Sequence, residues 1–360
     1  MPADADEREA ILRKLRRDDK ALGQAPEELL ADRSFILEAV QTNARALEYA
    51  SEELLRDKEV LLQAAGSSPF TLRFAAAEVL ADKSFMIEAV KMDGRTLQYA
   101  PQVLRSDRDV VQAAVERTGL ALRYAQPHLR RDEKVCLAAV KQDAVALEFA
   151  VNPSKEIVLE AIRRNPFAMR FAPDRIRGDR HFVLKAVEYS GCALGQAEDA
   201  LRSDRLFVRD AVRRDGMALR FAVEALHSDK ELLLEAIKQT GGAALEIVPS
   251  ELCGDRGFML DAVGITGYAL HFAAEALRKD RSFIVDVVRR RGAALQYAPE
   301  VWRKDRQLVM EAAQRDLSAL AFADPAIRED VAFLSQAAAG QKAADERPGS
   351  TSGWQFAGFV

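Results

Sequence analysis

Cysteine, histidine and tryptophan are scarce in this chain, and each scarcity excludes something. The 360 residues hold 3 cysteines, Cys136, Cys192 and Cys253, an odd number spread far apart. That is neither a disulfide framework nor a zinc pattern, and it suits thiols in a reducing compartment. The 4 histidines, His128, His181, His227 and His271, never stand four apart on one helix, and no HExxH or CxxC occurs. Metal or acid–base sets of the usual spacing are therefore missing. No GxGxxG or GxxxxGK[ST] loop offers a phosphate cradle, so no cofactor is expected. No apolar run approaches the length that crosses a bilayer. The opening MPADADEREA has no apolar stretch, which predicts no secretory signal and a cytoplasmic protein. Neither charge sign dominates: 52 Lys and Arg face 56 Asp and Glu, for a net charge of −4. A non-specific nucleic-acid binder is usually strongly basic, so the balance weighs against that role. Alternating apolar and polar runs are absent too, and with them the pattern of a half-buried strand.

What the chain has is repetition. The stretch DRSFIVDVVRRRGAALQYAPEVWRK, from Asp280 to Lys304, has near copies that start at Asp32, Asp57, Asp82, Asp107, Asp132, Asp179, Asp204, Asp229, Asp255 and Asp305. The starts step by 25 residues, except for a unit of 22 from Asp132 and one of 26 from Asp229. Ser154 takes the aspartate's place in one unit, and Asp330 opens a final partial one. A fixed period of this length marks a stacked-repeat protein.

Numbered from its aspartate, a unit is apolar at positions 4, 5, 8 and 9, as in Phe35, Ile36, Ala39 and Val40. That spacing is one face of a helix. Aspartate at position 1 reads as its N-cap. Glycine recurs at position 13 (Gly94, Gly119, Gly191, Gly216, Gly241, Gly267, Gly292) and reads as a left-handed residue after the last turn. A second short helix carries Leu at position 16, an aromatic at 18 and Ala at 19. Proline often follows at position 20, closing that helix or opening a further turn as its first residue. An apolar residue at position 23 suggests a 3₁₀ or short α turn before the next cap.

Two helices of this size cannot hide their own apolar face, so the units must stack. Small residues at fixed positions, the alanines at 8 and 19, let neighbouring layers approach closely. The expected fold is all-α: an elongated right-handed α-solenoid of about 13 two-helix repeats with a 25-residue period. Residues 1–31 read as a degenerate N-terminal capping repeat, 32–337 as the array and 338–360 as a disordered tail. The short unit predicts a kink near Val151–Pro153. Gly241–Gly242 carries the insertion. Trp354, Phe356 and Phe359 either cap the last layer or form a docking motif.

The pattern D-[KR]-x-F-[VI]-x-x-A-V followed by G-x-A-L-x-[YF]-A-P-x-x-L-R-x-D resembles a tandem-repeat family known only as a domain of unknown function, numbered forty-one sixteen. The family's unit is about two of these copies. The resemblance covers roughly residues 30 to 337 and implies a helical repeat without any assigned activity. In size the unit is also similar to leucine-rich variant repeats, an architectural likeness only.

Three polar columns could carry function. Acidic residues at position 7 (Glu38, Glu88, Glu160, Asp210, Glu235, Asp261, Asp286, Glu311) are too regular for a catalytic pair. They suit a solvated face or pairing with a neighbour's base. Lysine or arginine at position 2 opposes its own helix dipole. A ladder to the acid of an adjacent unit, its stem over apolar surface, would favour it there. Position 17 varies: Arg73, Gln98, Arg123, Glu148, Arg170, Arg220, His271 and Gln296 are the candidate binding face. A variable exposed position on a constant scaffold is where a repeat protein reads its partner. The expectation is a monomeric, non-enzymatic scaffold for a protein partner. Reading of single-stranded nucleic acid is the alternative. Against it, the aromatics at position 18 are expected in the core.

Overall fold

Each repeat starts where an aspartate stops an extended approach. Asp229, at φ −73 and ψ 107, accepts the free N–H groups of Glu231 at 3.0 Å and Leu232 at 3.1 Å through Oδ1. These are the donors a first helical turn leaves unsatisfied. The computed structural model describes residues 5–18 and 20–345, and every regular element among them is helical. The first helix of a unit is typically 10 residues, as in Arg33–Thr42 and Arg205–Arg214. Its positions 4, 5, 8 and 9 form the core. Phe207, Val208, Ala211 and Val212 are wholly buried.

Except in the 26-residue unit, where Gly241 ends the helix at φ 65 as expected, the helix does not end on a left-handed glycine. Position 12 is extended, and its side chain starts the next helix: Asp93, at φ −148 and ψ 114, accepts the N–H of Arg95 at 2.9 Å. The second segment is a 3₁₀ helix of 6 residues, as in Gly94–Tyr99 and Gly119–Tyr124. Glycine at position 13 begins it for a reason of space. A Cβ on Gly94 would lie 2.2 Å from the carbonyl oxygen of Ala114 in the following repeat, and one on Gly292 would lie 2.5 Å from that of Ala312. At these repeats glycine 13 is thus small because the backbone at position 8 of the next layer lies against it. Among the described residues only Gly241 and Gly242 of the glycines have positive φ, at 65 and 119. They mark the 26-residue unit, whose helix Lys230–Thr240 runs one residue longer.

A third segment, usually one α turn such as Gln102–Arg105, leads to the next aspartate. A unit therefore holds three helical pieces rather than two. Proline at position 20 sits before this turn with ψ extended, 161 at Pro101 and 149 at Pro299, and not as its first helical residue. Where position 20 is not proline, its N–H often donates to the carbonyl of position 24 in the preceding repeat. Gln126 donates to Arg105 at 3.1 Å, and Ala274 to Cys253, position 25 of the 26-residue unit, at 2.8 Å. At Pro299 that donor is lost, and the indole of Trp302 supplies one instead, 2.7 Å from the carbonyl of Arg278.

The chain divides into two compact units, one up to Arg177 and one from Gly178. Each stacks its own repeats through consecutive first helices and consecutive 3₁₀ helices. The first unit contains the 22-residue repeat. There Asn152 takes a left-handed φ of 54, and Arg175 clamps the shortened segment, donating to Asn152 Oδ1 at 2.8 Å and to the Pro153 carbonyl at 2.7 Å. The first unit starts with the same three pieces: helix Ala5–Leu15, a 3₁₀ helix shortened to Ala21–Gln24 and the turn Glu27–Leu30. The second ends with helix Val331–Asp345, which extends past the expected array boundary at 337. Trp354, Phe356 and Phe359 lie outside the described residues.

Candidate functional site

The cations at position 2 are engaged. Arg205 donates to both carboxylate oxygens of Asp229, at 2.6 and 3.2 Å, and to Glu231 at 2.6 Å. The same rung recurs as Arg180 to Asp204 (2.6 Å), Lys230 to Asp255 (2.6 Å), Arg281 to Asp305 (3.1 Å) and Arg306 to Asp330 (2.7 Å). In the first unit Arg8 reaches Asp32 at 3.1 Å, Lys83 reaches Asp107 at 2.8 Å, and Lys58 pairs with Asp82. These cap aspartates thus bind their own helix and the repeat before it, whereas Arg33 reaches Glu59, two residues past the cap Asp57, at 3.0 Å. The cation's conflict with its own dipole is offset by the carboxylate of the next layer. Several guanidiniums also lie over the next repeat's phenylalanine, as Arg180 does 4.8 Å from the Phe207 centroid. Hydrogen bonds from Lys58, Arg180, Arg205 and Lys230 hold the carboxyls of Asp82, Asp204, Asp229 and Asp255 below the ordinary range.

One rung differs. Position 2 is acidic only at Glu133, and the next repeat is the one that opens on Ser154. Glu133 accepts the Ser154 hydroxyl at 3.2 Å. Reversing the first partner's charge coincides with neutralising the second.

The acids at position 7 are partly a second set of rungs in the second unit. Arg289 binds Glu311 at 2.7 Å, Arg290 binds Asp261 at 2.6 Å and Arg256 binds Asp286 at 2.5 Å. Glu160, in the first unit, pairs within its own helix with Arg164 at 3.0 Å. Cys136 is buried, which pushes its thiol up to about 11 and makes it a poor nucleophile. Cys192 and Cys253 are half-buried free thiols. No three His, Cys, Asp or Glu side chains gather among the described residues as a metal would need.

Position 17 differs in kind. All eight candidates are exposed, each on the short segment after the first helix. Arg73, Gln98, Arg123, Glu148 and Arg170 fall on successive stacked 3₁₀ helices of the first unit. Arg220, His271 and Gln296 belong to the second unit. Arg73, Arg123, Arg170 and Arg220 make no ion pair among the described residues. In the first unit these cations rest on rings instead. Arg73 is 4.8 Å from the Phe70 centroid and 5.3 Å from Phe74. Arg123 is 5.3 Å from Tyr124 and 5.6 Å from Phe149 of the next repeat, and Arg170 is 4.5 Å from Phe171. The position-18 rings are half-buried, not the core residues expected. A 3₁₀ segment explains why, because its turns are tighter and leave one edge of the ring outward.

Position 14 was not singled out from the sequence, although it belongs to this edge. Residues three apart eclipse on a 3₁₀ helix, so positions 14 and 17 share a face. Phe167 is 59% exposed there; Tyr268, 40% exposed, precedes the short α turn Ala269–Phe272 that takes the place of the 3₁₀ helix in its repeat. Tyr268 stacks on His271 at 5.8 Å and meets Phe272 and Tyr297 edge-on. Had Asp, Asn or Ser at position 12 been read as a second cap, the tighter helix and this column would have been visible in the sequence.

A family model described as a domain of unknown function (DUF4116) matches eight times in tandem, at residues 7–55, 32–80, 82–130, 113–151, 154–202, 204–253, 255–300 and 280–328. Matches that overlap by one repeat, such as 255–300 and 280–328, fit a model about two repeats long. No curated protein and no solved structure matches the chain.

Proposed function

The chain belongs to the DUF4116 family, which has no assigned activity, and from that premise we propose that it is a non-enzymatic scaffold binding a protein partner along its 3₁₀ edge. The observation that carries this reading is the contrast between two columns of cations. Those at position 2 are consumed by the stack, whereas those at position 17 are exposed and uncommitted. Arginine beside aromatic rings is the composition from which interface anchors are drawn. The period carries a further expectation, that the repeats continue as a right-handed α-solenoid of about 13 layers. Small-angle scattering would read it as an elongated particle.

Chemical cross-linking in cell extract followed by peptide mapping tests the site. Cross-links should fall on residues 69–74, 94–99, 119–124 and 166–171. They should be lost from a chain carrying Arg73→Glu, Arg123→Glu and Arg170→Glu. Cross-links confined to the position-2 edge, or unchanged in the variant, would remove the proposed face. The alternation of guanidinium and ring also favours a second reading, single-stranded nucleic acid stacked one base per repeat. Exposed Glu148 and the −4 net charge oppose it. A gel shift with an oligothymidylate decides between the two.

A further inference from the structure

The 3₁₀ edge of the first unit also indicates what kind of segment it holds. On five successive steps the position-17 residues run Arg73, Gln98, Arg123, Glu148, Arg170. An uncommitted cation thus stands on every second repeat. Gln98 is neutral and Glu148 is an exposed acid with no ion pair of its own among the described residues. Between the cations lie half-buried rings: Phe74, Tyr99, Tyr124 and Phe149, with Phe167 more exposed. The other cations nearby are occupied. Arg95 is folded onto Asp93 at 2.7 Å, and Arg45 reaches Glu48 at 3.4 Å.

A uniform polyanion fits this pattern poorly. A nucleic-acid backbone carries a charge on every nucleotide. It would have to lay phosphates across Glu148. A peptide can place carboxylates at intervals and leave neutral or apolar side chains between them. We infer that the 3₁₀ edge of residues 69–171 holds an extended acidic segment of the partner, with carboxylates against Arg73, Arg123 and Arg170 and apolar side chains against the intervening rings. This rests on the scaffold reading above and specifies its partner. Arginine suits the role because its planar fork can stay on a ring while its edge grips a carboxylate.

The repeat sets the spacing of the acids. Helices in adjacent layers pack roughly 8–10 Å apart. Two layers then span roughly 16–20 Å, and an extended chain advances about 3.3 Å per residue. Acidic side chains roughly five or six residues apart would meet successive arginines.

The test is fluorescence anisotropy of the full chain with fluorescein-labelled synthetic peptides. One carries three glutamates at five-residue spacing with leucine and serine between. A second has the same composition with the glutamates contiguous. A third has lysine for glutamate, and a labelled oligothymidylate is run beside them. The spaced peptide should bind best, and the contiguous one more weakly. Lysine for glutamate should abolish binding. Arg73→Glu, Arg123→Glu and Arg170→Glu together should weaken the spaced peptide by about tenfold or more, with affinity falling as salt rises. All three residues are exposed, so an unchanged thermal melt would show the variant folded. Equal binding of the glutamate and lysine peptides, or of the spaced peptide to the variant, overturns the inference. Tighter binding of the oligothymidylate overturns it in favour of nucleic acid. If cross-links still map to the 3₁₀ edge while no acidic peptide binds, the partner's chemistry is wrong and the scaffold reading stands. If the cross-links also leave that edge, both fall.

Discussion

Arg205 and Arg123 occupy two edges of the same kind of repeat and do opposite things. Arg205 binds Asp229 and Glu231 of the next layer, so its charge is spent inside the molecule. Arg123 touches no acid and lies against two rings, with its guanidinium open to solvent. Composition cannot separate them, since both are arginines at regular spacing on short helices. Their neighbours do. A position-2 cation has an acid of the next repeat's first turn within reach, usually the cap and for Arg33 the nearby Glu59, because the period that stacks the helices also brings that turn beside the preceding repeat. The position-17 cation faces other 3₁₀ helices, whose residues at that level are rings, Gln98 and Glu148, and neither Arg123 nor Arg170 forms an ion pair with Glu148 among the described residues. Periodic charge is therefore structural where the period itself supplies a partner, and free where it does not.

Both edges depend on the layers between them, and the largest effects should come from there. Leu219 fills the space between layers and is wholly buried. Leu219→Ala should cost about 2–5 kcal/mol in denaturant unfolding. Hydrogen exchange should rise first in its own and adjoining repeats, since each layer touches only its neighbours. Gly292→Ala puts a Cβ 2.5 Å from the Ala312 carbonyl. Forcing the layers apart there should cost about 1–3 kcal/mol. An unchanged melting temperature would mean that position 13 is not the point of closest approach.

The two edges themselves come next. Asp229→Ala removes a cap and leaves Arg205 with only Glu231 of its two acidic partners, so it should cost about 1–2 kcal/mol in the same assay. Arg123→Ala should change stability by no more than about 0.5 kcal/mol. The contrast fails if the two variants melt alike. Acid should reproduce the difference. Folding lowers the carboxyl pKa values of Asp204, Asp229 and Asp255, so the folded chain binds fewer protons than the unfolded one. Their contribution is complete above the ordinary value of 3.8 and is lost as pH falls through the lowered folded values. Melting temperature should hold from pH 7 to about pH 5 and drop below about pH 4, and Asp229→Asn should shrink that drop.

Which parts of this were legible in the sequence follows from the same physics. The caps at Asp32 and Asp229, the core face at Phe207 and Val208 and the repeat register rest on local patterns, and the chain repeats them often enough to average out exceptions. The exposure of Arg73, Arg123 and Arg170 was legible from their place in a variable column. Gly94 was misjudged because backbone freedom and close approach both demand glycine, and only the Ala114 carbonyl of the next layer tells them apart. Phe70 and Phe167 were missed because their exposure depends on a 3₁₀ rather than an α twist, a difference that residue propensity barely encodes.

The smallest expected effect tests the comparison most directly. Glu133 and Ser154 replace the usual cation and aspartate in one rung, Glu133 in the repeat that is three residues short and Ser154 at the start of the next. If the ladder is a pairwise device, Glu133→Arg alone should change little, because Ser154 offers a hydroxyl rather than a carboxylate. Ser154→Asp alone should destabilise slightly, since its new charge would face Glu133 across 3.2 Å of hydrogen bond. Together they should restore a rung. The coupling in a double-mutant cycle should favour the pair by about 0.5–1 kcal/mol, the usual worth of an exposed ion pair. Additive effects would mean that the shortened backbone at Asn152 holds the two helices out of register. The rung would then be absent because geometry forbids it, and not because its charges were exchanged.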